Sequence, residues 1–178
     1  MTFKEDGYKI IKDFCPVSNI YKELIDFSDK EPGDFDAQSP NSPAYYGKPK
    51  ILDTLHRKLI HRLEGITGYK LYKTYFYWRM YYKGAILITH TDRPACEISG
   101  TLFLGGDPWD IFIEDKNGKE IRVKQEPGDI LLYMGCERKH WREPFENDVH
   151  AQVFLHYVDQ NGPNAWCKDD ITQEKPCS

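Results

Sequence analysis

The chain has 178 residues, a length typical of one domain with a sizeable core. Its formal net charge of −4 comes without long runs of either sign, which argues against a nucleic-acid-binding face. No apolar stretch approaches the roughly 18 residues of a membrane span, and residues 1–10 lack the apolar segment of a secretory signal. The five cysteines are scattered and odd in number, which favours a reducing compartment. We therefore expect a cytoplasmic protein without nucleic-acid or membrane partners.

Residues 1–68 are predicted to form a helical N-terminal support. Apolar residues at helical spacing indicate two helices, the second starting at Pro49 and ending at Gly65 or Gly68. The segment 31–49 between them is rich in Pro, Gly and Ser, and is predicted to be a lid or a plain connector.

After residue 68 the pattern changes to short β segments separated by turns. Strands are predicted at residues 69–82, 85–89, 97–104, 109–114, 120–124, 129–133 and 150–158. Asn117-Gly118 between two of them is the strongest hairpin signal. Strands at this spacing without intervening helices imply an antiparallel sandwich or barrel. We expect a single domain, mainly β with N-terminal helices (α+β), with a β core over 69–158 and a C-terminal tail over 159–178.

Three polar residues of the β region could hold a metal ion. His90 and Asp92 are two residues apart, so in an extended segment both side chains project from one face. A second imidazole from a distant strand, such as His140, would complete a set of two histidines and one carboxylate, which Fe(II) oxygenases use. Zinc hydrolases use a similar set, so the ligands alone do not identify the metal.

Several motifs accompany these residues in a fixed order. They are Tyr81 and Gly84, the His-Thr-Asp triplet at 90–92, a Thr-Leu strand within 99–104, a Gly-Asp-Ile-Leu-Leu-Tyr segment at 128–133, His140 and Pro144. In this order and spacing, residues 69–158 resemble the prolyl 4-hydroxylase-like branch of the 2-oxoglutarate- and Fe(II)-dependent dioxygenases. The resemblance implies a double-stranded β-helix, a jelly-roll or cupin-like barrel flanked by N-terminal helices.

The same resemblance implies an enzyme that hydroxylates a prolyl or other peptidyl residue, or a small molecule. On this view His90, Asp92 and His140 are the iron ligands. The co-substrate 2-oxoglutarate would chelate the iron and be decarboxylated oxidatively to succinate and CO₂, with O₂ as the oxidant. Ascorbate is a further candidate cofactor.

The far carboxylate of 2-oxoglutarate needs a cation or strong hydrogen-bond donors. Relatives of this type place Lys or Arg about ten residues after the second histidine, where this chain has His150. Candidates for this role, in order of preference, are His150 together with Tyr81, then Arg142, then Arg79, with Thr101 lining the same end. His156 shares a strand face with His150 and is interpreted as a buried, satisfied histidine.

Two other classes of function stay open. A cupin-like barrel with zinc, manganese or nickel could catalyse an isomerisation or a hydrolysis, and the absence of a basic residue at position 150 keeps this alternative. A non-catalytic binding barrel is the third reading, which the complete ligand set disfavours. The substrate and the oligomeric state are not predicted.

Overall fold

The computed structural model describes residues 2–36 and 39–170. Its helices are Phe3–Asp6 (α1), Ser18–Ser28 (α2) and Lys50–Thr67 (α3). Its strands are Tyr8–Ile11 (β1), Ala44–Tyr46 (β2), Leu71–Tyr82 (β3), Leu87–His90 (β4), Ile98–Gly106 (β5), Ile111–Glu114 (β6), Glu120–Val123 (β7), Ile130–Met134 (β8), His140–Arg142 (β9) and Val149–Asp159 (β10). None of the helices in these ranges is long and apolar enough to cross a membrane.

The strands form two antiparallel sheets. One sheet has six strands in the order β1-β8-β5-β10-β3-β2, and the other has four in the order β4-β9-β6-β7. The long strand β10 pairs with β3 on one side and with β5 on the other. Strands far apart in sequence are thus neighbours in each sheet, which is the jelly-roll arrangement expected from the sequence.

Alternation along the strands divides the six-stranded sheet into two faces. The odd-numbered residues of β10 join the core beneath the helices: Ala151, Val153, Leu155 and Tyr157. On β3 the residues of that core are Phe76, Trp78 and Met80. The opposite face of the same strands carries the polar and aromatic residues that matter below. It packs towards the four-stranded sheet, since Leu131 and Tyr133 of β8 form one cluster with Ile111 and Ile113 of β6.

Helix α3 covers the first of these faces. Leu52, Leu59 and Leu63 lie on one side of the helix and are almost completely buried. Burial of each leucine contributes about 2 kcal/mol to stability. Gly68 ends the helix with φ +75°, a left-handed conformation in which glycine has no steric penalty. Of the two predicted stops, Gly68 is therefore the one used.

Three short strands were not predicted. The segment 31–49 is not a connector throughout, because residues 44–46 pair with β3. Strand β1 pairs with β8, and β9 pairs with β4 and β6. Strands of three or four residues carry too little alternation to be recognised in a single sequence. Residues 171–178, the end of the predicted tail, lie outside the described residues, and the single-domain organisation stays a prediction.

Candidate metal centre

His90, Asp92 and His140 converge between the two sheets. Their potential ligand atoms all lie within 4.8 Å of one another. The pairing of β4 with β9 sets His90 directly opposite His140. Asp92 follows β4, and its backbone N–H donates a hydrogen bond to the carbonyl of Gly135 at 2.8 Å. One oxygen of Asp92, Oδ1, is 3.5 Å from the Nε2 atoms of both histidines.

Backbone carbonyls fix the orientation of both imidazoles. Nδ1 of His90 lies 2.8 Å from the carbonyl oxygen of Ile88, and Nδ1 of His140 lies 3.0 Å from that of Arg138. A carbonyl can only accept, so each Nδ1 carries a hydrogen and each neutral ring has its lone pair on Nε2. Two lone pairs and the carboxylate of Asp92 therefore face one another. A cation placed among them would relieve this repulsion.

The charges of the three groups favour a cation in the same place. Burial raises the pKa of Asp92, but the imidazoles of His140 and His90 lower it by more, so the carboxylate is ionised at neutral pH. Burial lowers the pKa of His90, but its interaction with Asp92 raises it by more. The hydroxyl of Ser99 donates to Oδ2 of Asp92 at 2.9 Å and holds the carboxylate in position. Two imidazoles and one carboxylate are a donor set that fits a divalent first-row metal.

Two cavities meet at His90 and Asp92, and His140 lines the inner one. The inner cavity has a volume of about 20 Å³, and its walls include Tyr77, Tyr81, Tyr133 and Phe154. The outer one is a more open cleft of about 360 Å³. Both are lined by Tyr77, His90, Asp92 and His156. A larger groove of about 670 Å³ runs past Trp109 and Phe112 and contains none of the three candidate ligands.

Arg142 lies two residues beyond His140 on β9 and is also buried. Its Nη1 donates to the carbonyl of Trp109, whereas Nε and Nη2 have no hydrogen-bond partner among the described residues. Burial lowers the pKa of Arg142 to about 10, so the guanidinium remains charged at neutral pH. The charge is close enough to interact with Tyr81 and Tyr133, which line the inner cavity. A buried guanidinium with two unpaired nitrogens is unfavourable unless an anion joins it.

His150 occupies a different environment. Its Nδ1 lies 2.8 Å from the carbonyl oxygen of Asp107, and its Nε2 lies 2.7 Å from the side-chain oxygen of Gln152. The amide of Gln152 continues the network by donating to Thr101 Oγ1 at 2.6 Å. Burial, followed by the charge of Arg142, lowers the pKa of His150 to about 3. His150 is thus a neutral member of a buried network, and Thr101 belongs to the same network.

The other two candidates for the co-substrate end lie on β3. Arg79 donates to the carbonyl of Ser42 at 2.7 Å and is paired with the carboxylate of Asp36, so its guanidinium already has an anionic partner. Burial raises the pKa of Tyr81, whose hydroxyl therefore stays protonated and able to donate.

Sequence reasoning missed several residues around the centre. Tyr75 and Tyr77, which belong to none of the sequence motifs, both line the outer cleft. The sulfur of Cys96 lies within 4.8 Å of ligand atoms of Asp92 and His156. Alternation on β3 could have revealed the tyrosines, since residues 75, 77, 79 and 81 share one face. No local signal reveals the short distances from Cys96 to Asp92 and His156, because they come from the three-dimensional fold.

Comparison with solved structures identifies the architecture. The chain aligns with a Pseudomonas putida prolyl-4-hydroxylase over 86% of its length and 94% of that protein's, at 16% identity and a TM-score of 0.70. A Trichoplax adhaerens prolyl hydroxylase, solved with a hypoxia-inducible-factor peptide, covers 89% of the chain and 86% of its own length at 17% identity and a TM-score of 0.68. HygX from Streptomyces hygroscopicus, solved with nickel, 2-oxoglutarate and hygromycin B, covers 89% and 85% at 11% identity and a TM-score of 0.71.

No family model and no curated protein matches the sequence. The structural comparisons nevertheless cover most of the chain, with TM-scores of about 0.7. The fold predicted from the sequence is confirmed: the chain has the double-stranded β-helix of the 2-oxoglutarate- and Fe(II)-dependent oxygenases.

Proposed function

We propose that the protein is a 2-oxoglutarate- and Fe(II)-dependent oxygenase that hydroxylates a C–H bond of a peptidyl residue or a small molecule. The observation that carries this proposal is the convergence of His90, Asp92 and His140 within 4.8 Å, with both imidazole lone pairs directed at the carboxylate. The likeness in fold to prolyl hydroxylases and to HygX supports it.

The metal would be held by His90 Nε2, His140 Nε2 and a carboxylate oxygen of Asp92. Iron bound there would supply the O₂ chemistry that converts 2-oxoglutarate to succinate and CO₂ and oxidises the substrate. The protein's own residues do the rest. The carbonyls of Ile88 and Arg138 hold the two rings, and Ser99 holds the free oxygen of the carboxylate.

We assign the far carboxylate of 2-oxoglutarate to Arg142 rather than to His150. Arg142 has a permanent charge and two nitrogens, Nε and Nη2, without a hydrogen-bond partner among the described residues, and a guanidinium can bind a carboxylate through two parallel hydrogen bonds. His150 is neutral, and its ring nitrogens already lie within hydrogen-bond distance of the Asp107 carbonyl and the Gln152 side chain. Tyr81 would donate its hydroxyl to the same carboxylate. Arg142 thereby supplies the cation that is missing at position 150, which disfavours the alternative of a cupin-like hydrolase or isomerase.

The outer cleft of about 360 Å³ would receive the substrate. This volume lies at the lower end of the usual range for ligand pockets, which suits one side chain of a peptide or a compact small molecule. A prolyl residue is the nearest analogy, because two of the similar structures are prolyl hydroxylases. The choice of iron over other metals, a role for ascorbate and a cytoplasmic location belong to this proposal and stay predictions.

The test is a binding measurement in which no turnover is needed. Wild-type protein with Mn(II), titrated calorimetrically with 2-oxoglutarate, should bind it only when the metal is present. Aerobic incubation with Fe(II) and 2-oxoglutarate should then release succinate, and Asp92→Ala should abolish both results. Metal-independent binding of 2-oxoglutarate, or unchanged metal retention in Asp92→Ala, would overturn the proposal.

A further inference from the structure

His156 is a buried polar residue beside the metal centre that the proposed function does not use. It is 3% exposed, lies on β10, and lines both the inner cavity and the outer cleft. It therefore stands where a molecule in the cleft would meet His90 and Asp92. Its Nε2 is buried and has no hydrogen-bond partner among the described residues. Buried imidazole nitrogens are normally paired, so this exception calls for a physical explanation.

The hydrogen bonds of Ser99 determine which nitrogen of His156 carries the proton. The Ser99 hydroxyl lies 2.9 Å from Oδ2 of Asp92, 3.0 Å from the carbonyl oxygen of Cys96 and 2.9 Å from Nδ1 of His156. The two oxygens can only accept, so the single hydroxyl proton goes to one of them. The ionised carboxylate is the stronger acceptor. The bond to His156 must then be donated by the imidazole, which leaves a lone pair on Nε2.

Aromatic rings form the apolar part of the same wall. The ring of Tyr77 stacks on His156 at 5.8 Å with an interplanar angle of 23°, and on Phe154 at 4.6 Å with 19°. The ring of Tyr75 lies 4.7 Å from His156. These contacts hold the imidazole in one orientation. The wall thus combines an apolar surface with one fixed hydrogen-bond acceptor beside the candidate metal ligands.

We propose that His156 is a substrate-binding residue whose Nε2 accepts a hydrogen bond from an N–H or O–H group next to the carbon to be hydroxylated. The inference rests on the proposed function only in treating the bound molecule as a substrate. It narrows the substrate class to compact molecules or side chains that have an apolar body for Tyr77 and one donor for His156. Molecules in which this donor is methylated bind more weakly.

The first experiment reads the tautomer directly. In zinc-loaded, ¹⁵N-histidine-labelled protein, long-range ¹H–¹⁵N correlation spectra should show His156 protonated at Nδ1 only, with the resonance assigned through its loss in His156→Phe. Protonation at Nε2 overturns the inference. So does direct coordination of zinc by His156, seen as a shift of its ¹⁵N resonance on metal addition.

The second experiment measures selection in the cleft with defined probes. These are 2-pyrrolidinone, N-methylacetamide and cyclopentanol, each compared with its N- or O-methyl counterpart by NMR titration of the zinc- and 2-oxoglutarate-loaded protein. The wild type should bind the donor member roughly tenfold more tightly, the effect of one hydrogen bond, with shifts at His156 and Tyr77. His156→Phe should bind both members equally. His156→Gln, which keeps an acceptor, should recover part of the preference.

Three results would each overturn the inference. They are equal binding of donor and methylated probes to the wild type, no binding of either probe, and an unchanged preference in His156→Phe. Unchanged zinc affinity and circular dichroism of both variants would show that the metal centre and fold are intact. Neither experiment needs iron or turnover. Failure of the proposed oxygenase activity would therefore appear in the succinate assay, independently of the fragment preferences.

Discussion

Replacing Arg142 by methionine separates co-substrate binding from stability. In the free protein Arg142 is buried and donates to the carbonyl of Trp109, whereas Nε and Nη2 find no hydrogen-bond partner in residues 2–36 and 39–170. Methionine has a similar length and no charge to desolvate, so Arg142→Met should not lower the free energy of unfolding of the co-substrate-free protein. The bound 2-oxoglutarate would instead lose its cationic partner. Breaking a buried ion pair in this way costs about 3–5 kcal/mol, a loss of affinity of roughly 10²- to 4 × 10³-fold.

The measurement is calorimetric titration of 2-oxoglutarate into the Mn(II)-loaded variant, beside urea unfolding of the same preparation. Arg79→Met is the matched control, because it removes a second buried guanidinium that already has Asp36 as its anion. The control should lose much less 2-oxoglutarate affinity than Arg142→Met. A larger loss in Arg79→Met, or in His150→Phe, would refute the assignment of the co-substrate carboxylate to Arg142, and so would full affinity in Arg142→Met.

Three further outcomes are expected. Gly135→Ala should weaken Mn(II) binding in a calorimetric titration, because a Cβ atom there would lie 2.5 Å from Oδ2 of Asp92. The control is Gly65→Ala, whose new Cβ would have no atom within 4 Å. It should leave metal affinity unchanged and stabilise α3 by about 1 kcal/mol. Intact metal affinity in Gly135→Ala would contradict the placement of Asp92. Leu63→Ala should lower the free energy of unfolding by about 3 kcal/mol, since the leucine is completely buried under the six-stranded sheet; a loss below 1 kcal/mol in urea unfolding would place α3 elsewhere. Burial lowers the pKa of His56 from 6.5 to about 3, so as the pH falls the unfolded chain takes up this proton before the folded chain does. The free energy of unfolding should therefore decrease below pH 6.5, by up to about 1.4 kcal/mol per pH unit. The slope should be smaller in His56→Phe, and an unchanged slope in that variant would exclude His56 as the cause.

The sequence predicted the architecture because its main strands are long enough to show their alternation. Strands β10 and β3 were predicted at residues 150–158 and 69–82, and the hairpin between β6 and β7 was predicted from Asn117-Gly118. The spacing of His90 and Asp92 was sufficient to suggest that they share a face. These features are local, so a single sequence contains them.

The remaining features depend on contacts between distant segments. The surroundings of Arg142 and of His150 both follow from the packing of β9 and β10 against the residues around Trp109 and Asp107. Counting ten residues from His140 reached His150 correctly, but counting cannot tell whether an imidazole is already hydrogen-bonded. Counting also cannot give the tautomer of His156, because the hydrogen bond at its Nδ1 is made with Ser99 in another strand.

Strand β10 carries polar and aromatic side chains on the face that points towards the four-stranded sheet. His150, Gln152, Phe154 and His156 alternate with Ala151, Val153, Leu155 and Tyr157, which face the helices. A slip of this strand by one residue would exchange the two rows, burying imidazoles under α3 and presenting aliphatic groups to the metal. Because that exchange is so costly, burial of the aliphatic row fixes the registers of β10 with β3 and β5, and these registers in turn place the polar row at the metal centre. Selectivity could therefore be redesigned by substituting alternate positions of this one strand, with the backbone pairing left untouched.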